Sequence, residues 1–318
     1  MNILNSIPVE HYNDKTYLFN YLNDHKDIGN EDPGYNGIFH VHWRGPIDND
    51  KVILQIKSTL ATQDVDKIYF WIEDNITTIT SPSYVKLMQF RKYIDVRIFS
   101  PETIMLAEGD TKNKTKIGEY YVRNRGDRRY KTDIMRWIVL SIYGGVYTDL
   151  DTLLLRNLSD IRIKNWSCKW ADQDFAEACI LKLEKGSDVY EQMYLNWPDD
   201  PRCFLMMSNY DVPIAYSFQH DNLRFTSLPS PFFDPVWLDG KNNDKVPSLT
   251  IKNFDEFFEE TSAEITIGSF MEGCFAYHWH NRWDVPELKN SVAGKLNADI
   301  DKIIEAKYSI KPIKIFQG

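Results

Sequence analysis

Tyr130-Lys-Thr-Asp-Ile-Met-Arg-Trp-Ile-Val-Leu-Ser-Ile-Tyr-Gly-Gly-Val-Tyr-Thr-Asp-Leu-Asp151 is the most informative run in this chain. Thr132 is a residue type that caps helices, and Asp133 would then lie in the first turn, facing the positive end of the helix dipole. Ile134, Trp137, Ile138 and Ser141 fall on one helical face. Asp133, Arg136 and Leu140 fall on another, so Asp133 and Arg136 can project together. Gly144-Gly145 stops the helix, because glycine tolerates the left-handed conformation of a C-terminal cap. Val146 to Thr148 reads as a short strand ending in Asp149-Leu150-Asp151, two carboxylates one residue apart. Such a pair suits a hard divalent cation, Mn2+ or Mg2+, which takes oxygen ligands from one or two carboxylates plus substrate phosphates. A bare Asp-x-Asp is most often a solvated acidic turn. Here it closes a longer pattern: Thr-Asp-Ile-x-Arg, a helix, Tyr-Gly-Gly-x-Tyr, then Asp-x-Asp.

Outward from this stretch, strands and helices alternate. Ile38 to Trp43 reads as a strand ending at Arg44-Gly45-Pro46, and Lys51 to Leu60 as a helix, with Val52, Ile53, Ile56 and Leu60 at helical spacing. Lys67 to Ile72 is a near-continuous apolar run, as in a strand covered on both faces. Ser83 to Tyr93 is helix-like and Ile94 to Phe99 is another strand. The alternation predicts βαβ units and a mainly parallel sheet, whose ligands bind at the carboxyl ends of the strands. The second half is less regular. Leu228-Pro-Ser-Pro-Phe-Phe-Asp-Pro235 reads as loop, Cys274 to His280 as a strand and Ala298 to Tyr308 as a helix. Tyr17, Phe19 and Leu22 make a short helical face within a polar N-terminal extension, residues 1–36. Residues 37–318 read as one domain, with halves at about 37–160 and 161–318.

The chain has 318 residues, with 37 Lys plus Arg against 46 Asp plus Glu and a formal net charge of -9, so it lacks the positive field that non-specific nucleic-acid binding needs. Nucleic acid is not the expected partner. Cys168, Cys179, Cys203 and Cys274 have no paired spacing and read as reduced thiols. No signal peptide is visible, and no apolar run approaches the ~20 residues of a membrane span. A cytoplasmic protein, soluble or peripheral, is the expectation. The sequons at Asn75, Asn113, Asn157 and Asn165 are then chance matches.

Lys131 to Leu158 resembles the sugar-binding region of the DxD glycosyltransferases. That group includes the family 32 enzymes and is related to the clostridial glucosylating toxins. The pattern there is roughly (S/A)DxxRYxxLxxxGGxYxDxD; here it stands as TDIMRWIVLSIYGGVYTDLD, with Trp137 in place of the usual tyrosine. Phe39-His-Val-His-Trp-Arg-Gly45 is similar to the first strand of those enzymes, and Tyr277-His-Trp-His-Asn-Arg-Trp283 to their C-terminal metal- and diphosphate-facing element. Arg44 and Pro46 depart from the first pattern.

The resemblance implies an α/β chain of glycosyltransferase type A fold, with a Rossmann-like nucleotide-binding half and a mixed central sheet. It implies a metal-dependent transfer of sugar from a nucleotide-diphosphate sugar, UDP-linked sooner than GDP-linked, to a glycan or protein hydroxyl, with retention. Asp133, Arg136, Asp149 and Asp151 form the implied catalytic set. Asp151 would bind Mn2+ or Mg2+ directly, Asp149 directly or through water, and His278 would be the third protein ligand, with His280 as the alternative. Asp133 and Arg136 would hold the donor sugar and ribose, the planar guanidinium being suited to several contacts at once. Trp43 would stack on the base beside Val41 and His42, with Tyr147, Asn281 and Trp283 completing the nucleotide-sugar site. Glu177 stands where many relatives carry Asn in a donor-contacting element, so its carboxylate could alter sugar choice or meet the acceptor; read alone it is a surface glutamate. Trp166, Trp170, Trp237 and Trp279 are candidate sugar platforms.

Three other readings fit parts of the sequence. Asp149-Leu-Asp151-Thr152 resembles a haloacid dehalogenase motif, with its threonine one residue early. The pairs His40/His42 and His278/His280 can each present two imidazoles on one side of a strand, as in a zinc hydrolase that would also need His11, His25 or His220. A transferase without turnover could serve as a glycan- or nucleotide-binding module.

Overall fold

The computed structural model describes residues 2–3, 7–8, 11, 14–24, 36–73, 76–123, 128–169, 176–191, 225–237, 250–286 and 288–316. Trp170, Cys203, His25, His220 and Asn75 lie outside them. The described strands are β1 (Asn2–Ile3), β2 (Ile38–Trp43), β3 (Lys67–Ile72), β4 (Ile94–Ile98), β5 (Gly145–Thr148), β6 (Thr152–Leu154), β7 (Trp166–Lys169), β8 (Ala176–Leu183), β9 (Thr226–Leu228) and β10 (Ala276–His278). The described α-helices are α1 (Lys15–Asp24), α2 (Lys51–Thr62), α3 (Ile76–Thr80), α4 (Pro82–Leu87), α5 (Pro101–Ile104), α6 (Thr111–Arg123), α7 (Arg128–Tyr143) and α8 (Val292–Tyr308).

Among the described residues, eight strands form one sheet in the order β1-β9-β7-β8-β5-β2-β3-β4. The β5-β2-β3-β4 half is parallel throughout. β8 runs antiparallel to both β5 and β7, so the sheet as a whole is mixed. This is the expected α/β architecture: a Rossmann-like parallel half continued by a mixed sheet. The period-2 alternation of strands sorts the core into two layers. Phe39, Val41, Ile68, Phe70 and Val146 pack on one face with Val52, Ile53 and Ile56 of α2 and Leu296 and Ile300 of α8. Trp71 and Tyr147 face the other way, against Ile134, Trp137 and Ile138 of α7.

The decisive stretch folds as α7, a glycine turn and β5, with one correction. α7 begins at Arg128, so Thr132 is inside the helix rather than its cap and Asp133 is not in its first turn. Arg and Lys favour helix without needing an apolar face, which is why the periodicity starts later than the helix does. Gly144 (φ 68°) and Gly145 (φ 99°) take the left-handed region as expected. A Cβ on Gly145 would lie 2.4 Å from the Ile38 carbonyl oxygen, so glycine also lets β5 lie against β2.

Other boundaries move. The Ser83 to Tyr93 helix is split into α4 and a 3-10 turn, Met88–Phe90. The strand expected to run to His280 stops at His278, because His280 (φ 49°) and Asn281 (φ 59°) are left-handed and leave the pleat. α8 starts at Val292, where the Ser291 side chain accepts the Gly294 N–H. Leu228 to Pro235, expected as loop, holds a 3-10 turn over Ser230–Phe232, and Phe232, Phe233 and Asp234 are buried. Before Gly37, β1 pairs with β9, and Leu18 and Leu22 of α1 are buried in the same core.

Candidate active site

β2 and β5 run parallel, with His40 opposite Tyr147, so Trp43 and Asp149 emerge at the same end of the sheet. β6 follows Asp151 at once and pairs antiparallel with β10, setting His278 opposite Thr152. That small second sheet brings a residue more than a hundred positions away to the aspartate pair. The ligand atoms of Asp149, Asp151 and His278 lie within 4.8 Å of one another.

Asp151 is buried. Its Oδ2 accepts the Asn281 N–H at 2.7 Å and lies 3.2 Å from His278 Nε2, while its carbonyl accepts the Trp279 N–H. Burial alone would raise the Asp151 carboxyl, but His278 and the Asn281 N–H hold it at about 2. Burial works against a charged His278, yet Asp151 and then Glu177 raise it well above its ordinary value. Asp149 is raised, first by burial and then by its repulsion with Asp151, while Arg136 opposes the shift.

Arg136 is a buried hub of polar contacts. Its guanidinium lies 3.0 Å from Asp133 and 3.5 Å from Asp149, donates to the Ala178 carbonyl and sits 4.8 Å over the Tyr147 ring. The Asp133–Arg136 pair is thus an intrahelical ion pair, with Asp149 as a further anion. Tyr147 donates its hydroxyl to Asp149 at 2.8 Å. Of the β2 residues, Val41 has its side chain in the core, and His42 meets Thr132 at 3.2 Å, joining β2 to α7. Trp43 is partly buried and meets Trp283 edge-on at 5.4 Å. Trp283 in turn donates to the Asn281 side chain at 3.0 Å. A continuous set of contacts therefore runs from Trp43 through Trp283 and Asn281 to Asp151.

His280 does not take the place of His278 among the aspartates. Its Nε2 meets Asp234 Oδ2 at 2.5 Å and its ring stacks on His278 at 3.9 Å, so it groups with Asp234 and His278. Asp234 was missed as a site residue by sequence reading. Its signal was a lone acid inside Pro-Ser-Pro-Phe-Phe-Asp-Pro, and it is almost fully buried. Glu177 is not a surface glutamate either: it is buried 3.8 Å from His278 Nδ1, and burial raises its carboxyl.

The other histidine pair is no zinc site. His40 is fully buried with its Nε2 on the Gly144 carbonyl at 2.9 Å and its Nδ1 accepting from Trp71 at 3.0 Å. Burial lowers it to about 3. Both ring nitrogens are spent on structure. Trp166 and Trp279 are fully buried core residues, not sugar platforms; Trp237 is partly buried and stacks on His280 at 4.6 Å. Cys168, Cys179 and Cys274 are buried thiols not joined in disulfides.

The metal implied by the resemblance fits this donor set. Two carboxylates that repel each other and one imidazole converge on a point where a cation would relieve the repulsion. The mixed oxygen and nitrogen set suits Mn2+, with Mg2+ as the harder alternative.

Residues 49–168 match the family model described as glycosyltransferase sugar-binding region containing DXD motif. The match holds Asp133, Arg136, Asp149 and Asp151, whereas Trp43 and His278 lie outside it. No curated protein is similar enough in sequence to count as a match. Among solved structures, the PaToxG glycosyltransferase is 14% identical, covering 65% of this chain and 78% of its own, with a TM-score of 0.44. The UDP-bound glycosyltransferase domain from the YGT toxin is 12% identical over 51% of this chain and 62% of its own, with a TM-score of 0.36. The galactosyltransferase LgtC in complex with donor and acceptor sugar analogs is 12% identical over 85% and 95%, with a TM-score of 0.41. Scores this low add nothing to what the chain's own geometry says. Among the described residues, no helix is long and apolar enough to cross a membrane.

Proposed function

We propose that this chain is a metal-dependent glycosyltransferase that moves a sugar from a nucleotide-diphosphate sugar, UDP-linked in preference to GDP-linked, to a glycan or protein hydroxyl. Residues 37–318 would form its catalytic domain, with the donor half at about 37–160, the acceptor half at about 161–318 and residues 1–36 as an extension. The observation that carries the reading is the meeting of Asp149, Asp151 and His278 beside the Asp133–Arg136 pair, at the strand end where Trp43 emerges.

In this reading Asp149, Asp151 and His278 hold Mn2+ or Mg2+, which supplies Lewis-acid stabilisation of a leaving diphosphate when bound. Arg136 and Asp133 hold donor hydroxyls, and Tyr147 fixes the Asp149 carboxylate through its hydroxyl. Trp43 offers its face to the base, with Val41 and His42 beside it, and Asn281 and Trp283 border the phosphates. Retention follows from the resemblance, with a leaving phosphate oxygen able to take the acceptor proton. A cytoplasmic role in glycan assembly is the favoured setting, and an effector acting on host protein the alternative.

The test is nucleotide release from a panel of UDP- and GDP-sugars, with Mn2+, with Mg2+ and with chelator. Metal-dependent release from one donor supports the class and identifies the donor. Release that is indifferent to chelator removes the metal from the account.

Trp43→Ala should weaken donor binding by about 1–3 kcal/mol, the usual worth of one base on an aromatic face, seen as a rise in KM with kcat little changed. An unchanged KM would place the base elsewhere.

Metal uptake should release protons. His278, raised well above its ordinary value of 6.5, must be neutral to coordinate, and Asp149 must be ionised. Apparent Mn2+ affinity should therefore climb as pH rises above about 6.5, as calorimetry in buffers of different ionisation enthalpy would show. Pure carboxylate binding would instead level off well below neutrality.

A further inference from the structure

Lys51 stands outside every motif discussed so far, yet its ammonium is fully buried at the start of α2. Nζ donates to the carbonyls of Arg282 at 2.5 Å, Val285 at 2.6 Å and Trp283 at 3.3 Å, and lies 4.0 Å over the Phe258 ring. Asn49 adds a bond from its amide to the Trp283 carbonyl at 2.6 Å, and its own Oδ1 accepts the Lys51 N–H. The other anchors of the segment they grip lie at its surface or at the site itself: Arg282 pairs with Asp255 at 2.8 Å, and the Trp283 ring meets Trp279 edge-on at 5.9 Å. Asn281, Asp284 and Pro286 are exposed, and Arg282, Trp283 and Val285 are only partly buried. It begins with two left-handed residues, His280 and Asn281, a conformation that persists only where the surroundings enforce it. It also delivers the Asn281 N–H to Asp151 and the Trp283 ring to Trp43.

A buried ammonium is costly unless its donors are met, and here main-chain carbonyls of one turn meet them. Lysine and turn therefore hold each other. We propose that Lys51, assisted by Asn49, is a positioning residue that fixes the 281–285 turn over the donor site and so sets the affinity for the nucleoside diphosphate. The consequence for the donor rests on the glycosyltransferase reading; the grip on the turn does not.

The experiment compares wild type with Lys51→Met, Lys51→Arg and the milder Asn49→Ala by amide hydrogen exchange on the full chain without ligand. Titration with UDP plus Mn2+ follows. In Lys51→Met, exchange should rise at least tenfold in residues 279–286, with β2 and β3 unchanged, and UDP affinity should fall about tenfold with kcat for donor turnover changed less than KM. Asn49→Ala should show the same pattern more weakly, and Lys51→Arg should restore part of it. Exchange that stays at the wild-type rate in 279–286, or rises equally in β2 and β3, overturns the proposal. If Lys51→Met does not fold, Asn49→Ala decides by the same two criteria. Should wild type bind no UDP, the glycosyltransferase reading fails while the exchange result still judges the grip.

Discussion

Asp151→Asn should cut metal-dependent nucleotide release by roughly 1000-fold or more, the loss expected when several kcal/mol of Lewis-acid stabilisation disappear. The substitution is nearly isosteric, and an asparagine side-chain oxygen can still accept the Asn281 N–H, so the fold should survive. What is lost is the charge. Asp151 is the principal group raising His278 against its burial, so the same variant should let the His278 pKa fall steeply. Nuclear magnetic resonance of the imidazole gives that second reading without any substrate. A variant that keeps wild-type release while His278 shifts would separate Asp151 from the chemistry.

Arg136→Ala carries the second large effect, on stability as well as function. The guanidinium is buried among Asp133, Asp149, the Ala178 carbonyl and the Tyr147 ring. Removing one partner of a buried ion pair strands the others, at a cost of about 3–5 kcal/mol. The melting temperature should fall by roughly 10 °C. Arg136→Lys should recover little, because a single ammonium cannot reproduce the planar fork. The pH dependence has a definite sign. Asp149 is already raised by burial, and Arg136 is the leading influence that lowers it, so the variant's Asp149 titrates higher still. The folded-state carboxyl then binds its proton more tightly than the unfolded one does, so the variant's deficit should shrink as pH falls and Asp149 is protonated. A deficit independent of pH would mean that lost packing, not stranded charge, dominates.

Much of the architecture was legible because local periodicity and global topology agree. The strand reading of Ile38 to Trp43, the near-continuous apolar run of Lys67 to Ile72 and the glycine stop at Gly144-Gly145 are each decided within a few residues. The resemblance likewise pointed to His278, but what seats it opposite Thr152 is the pairing of β6 with β10, which no local pattern encodes. The misses share one cause: long-range packing decided them. Glu177 looks like a surface residue until β8 is placed between β5 and β7. Asp234 lies in a run of prolines and phenylalanines that reads as loop, and only the fold sets it against His280. The strand through His280 looked continuous because its alternation of residue types is strand-like; the left-handed turn that ends it is enforced from elsewhere. Trp166 and Trp279 are indistinguishable by sequence from exposed platforms, and burial alone sorts them.

The central claim is that Asp149, Asp151 and His278 hold a divalent cation that receives the diphosphate of a nucleotide-sugar. Titration of UDP into the protein by calorimetry, with Mn2+ and then with chelator, tests it most directly. UDP should bind with Mn2+, and the binding should disappear with chelator and in Asp151→Asn. UDP binding of equal strength with and without metal, or none under either condition, would contradict it.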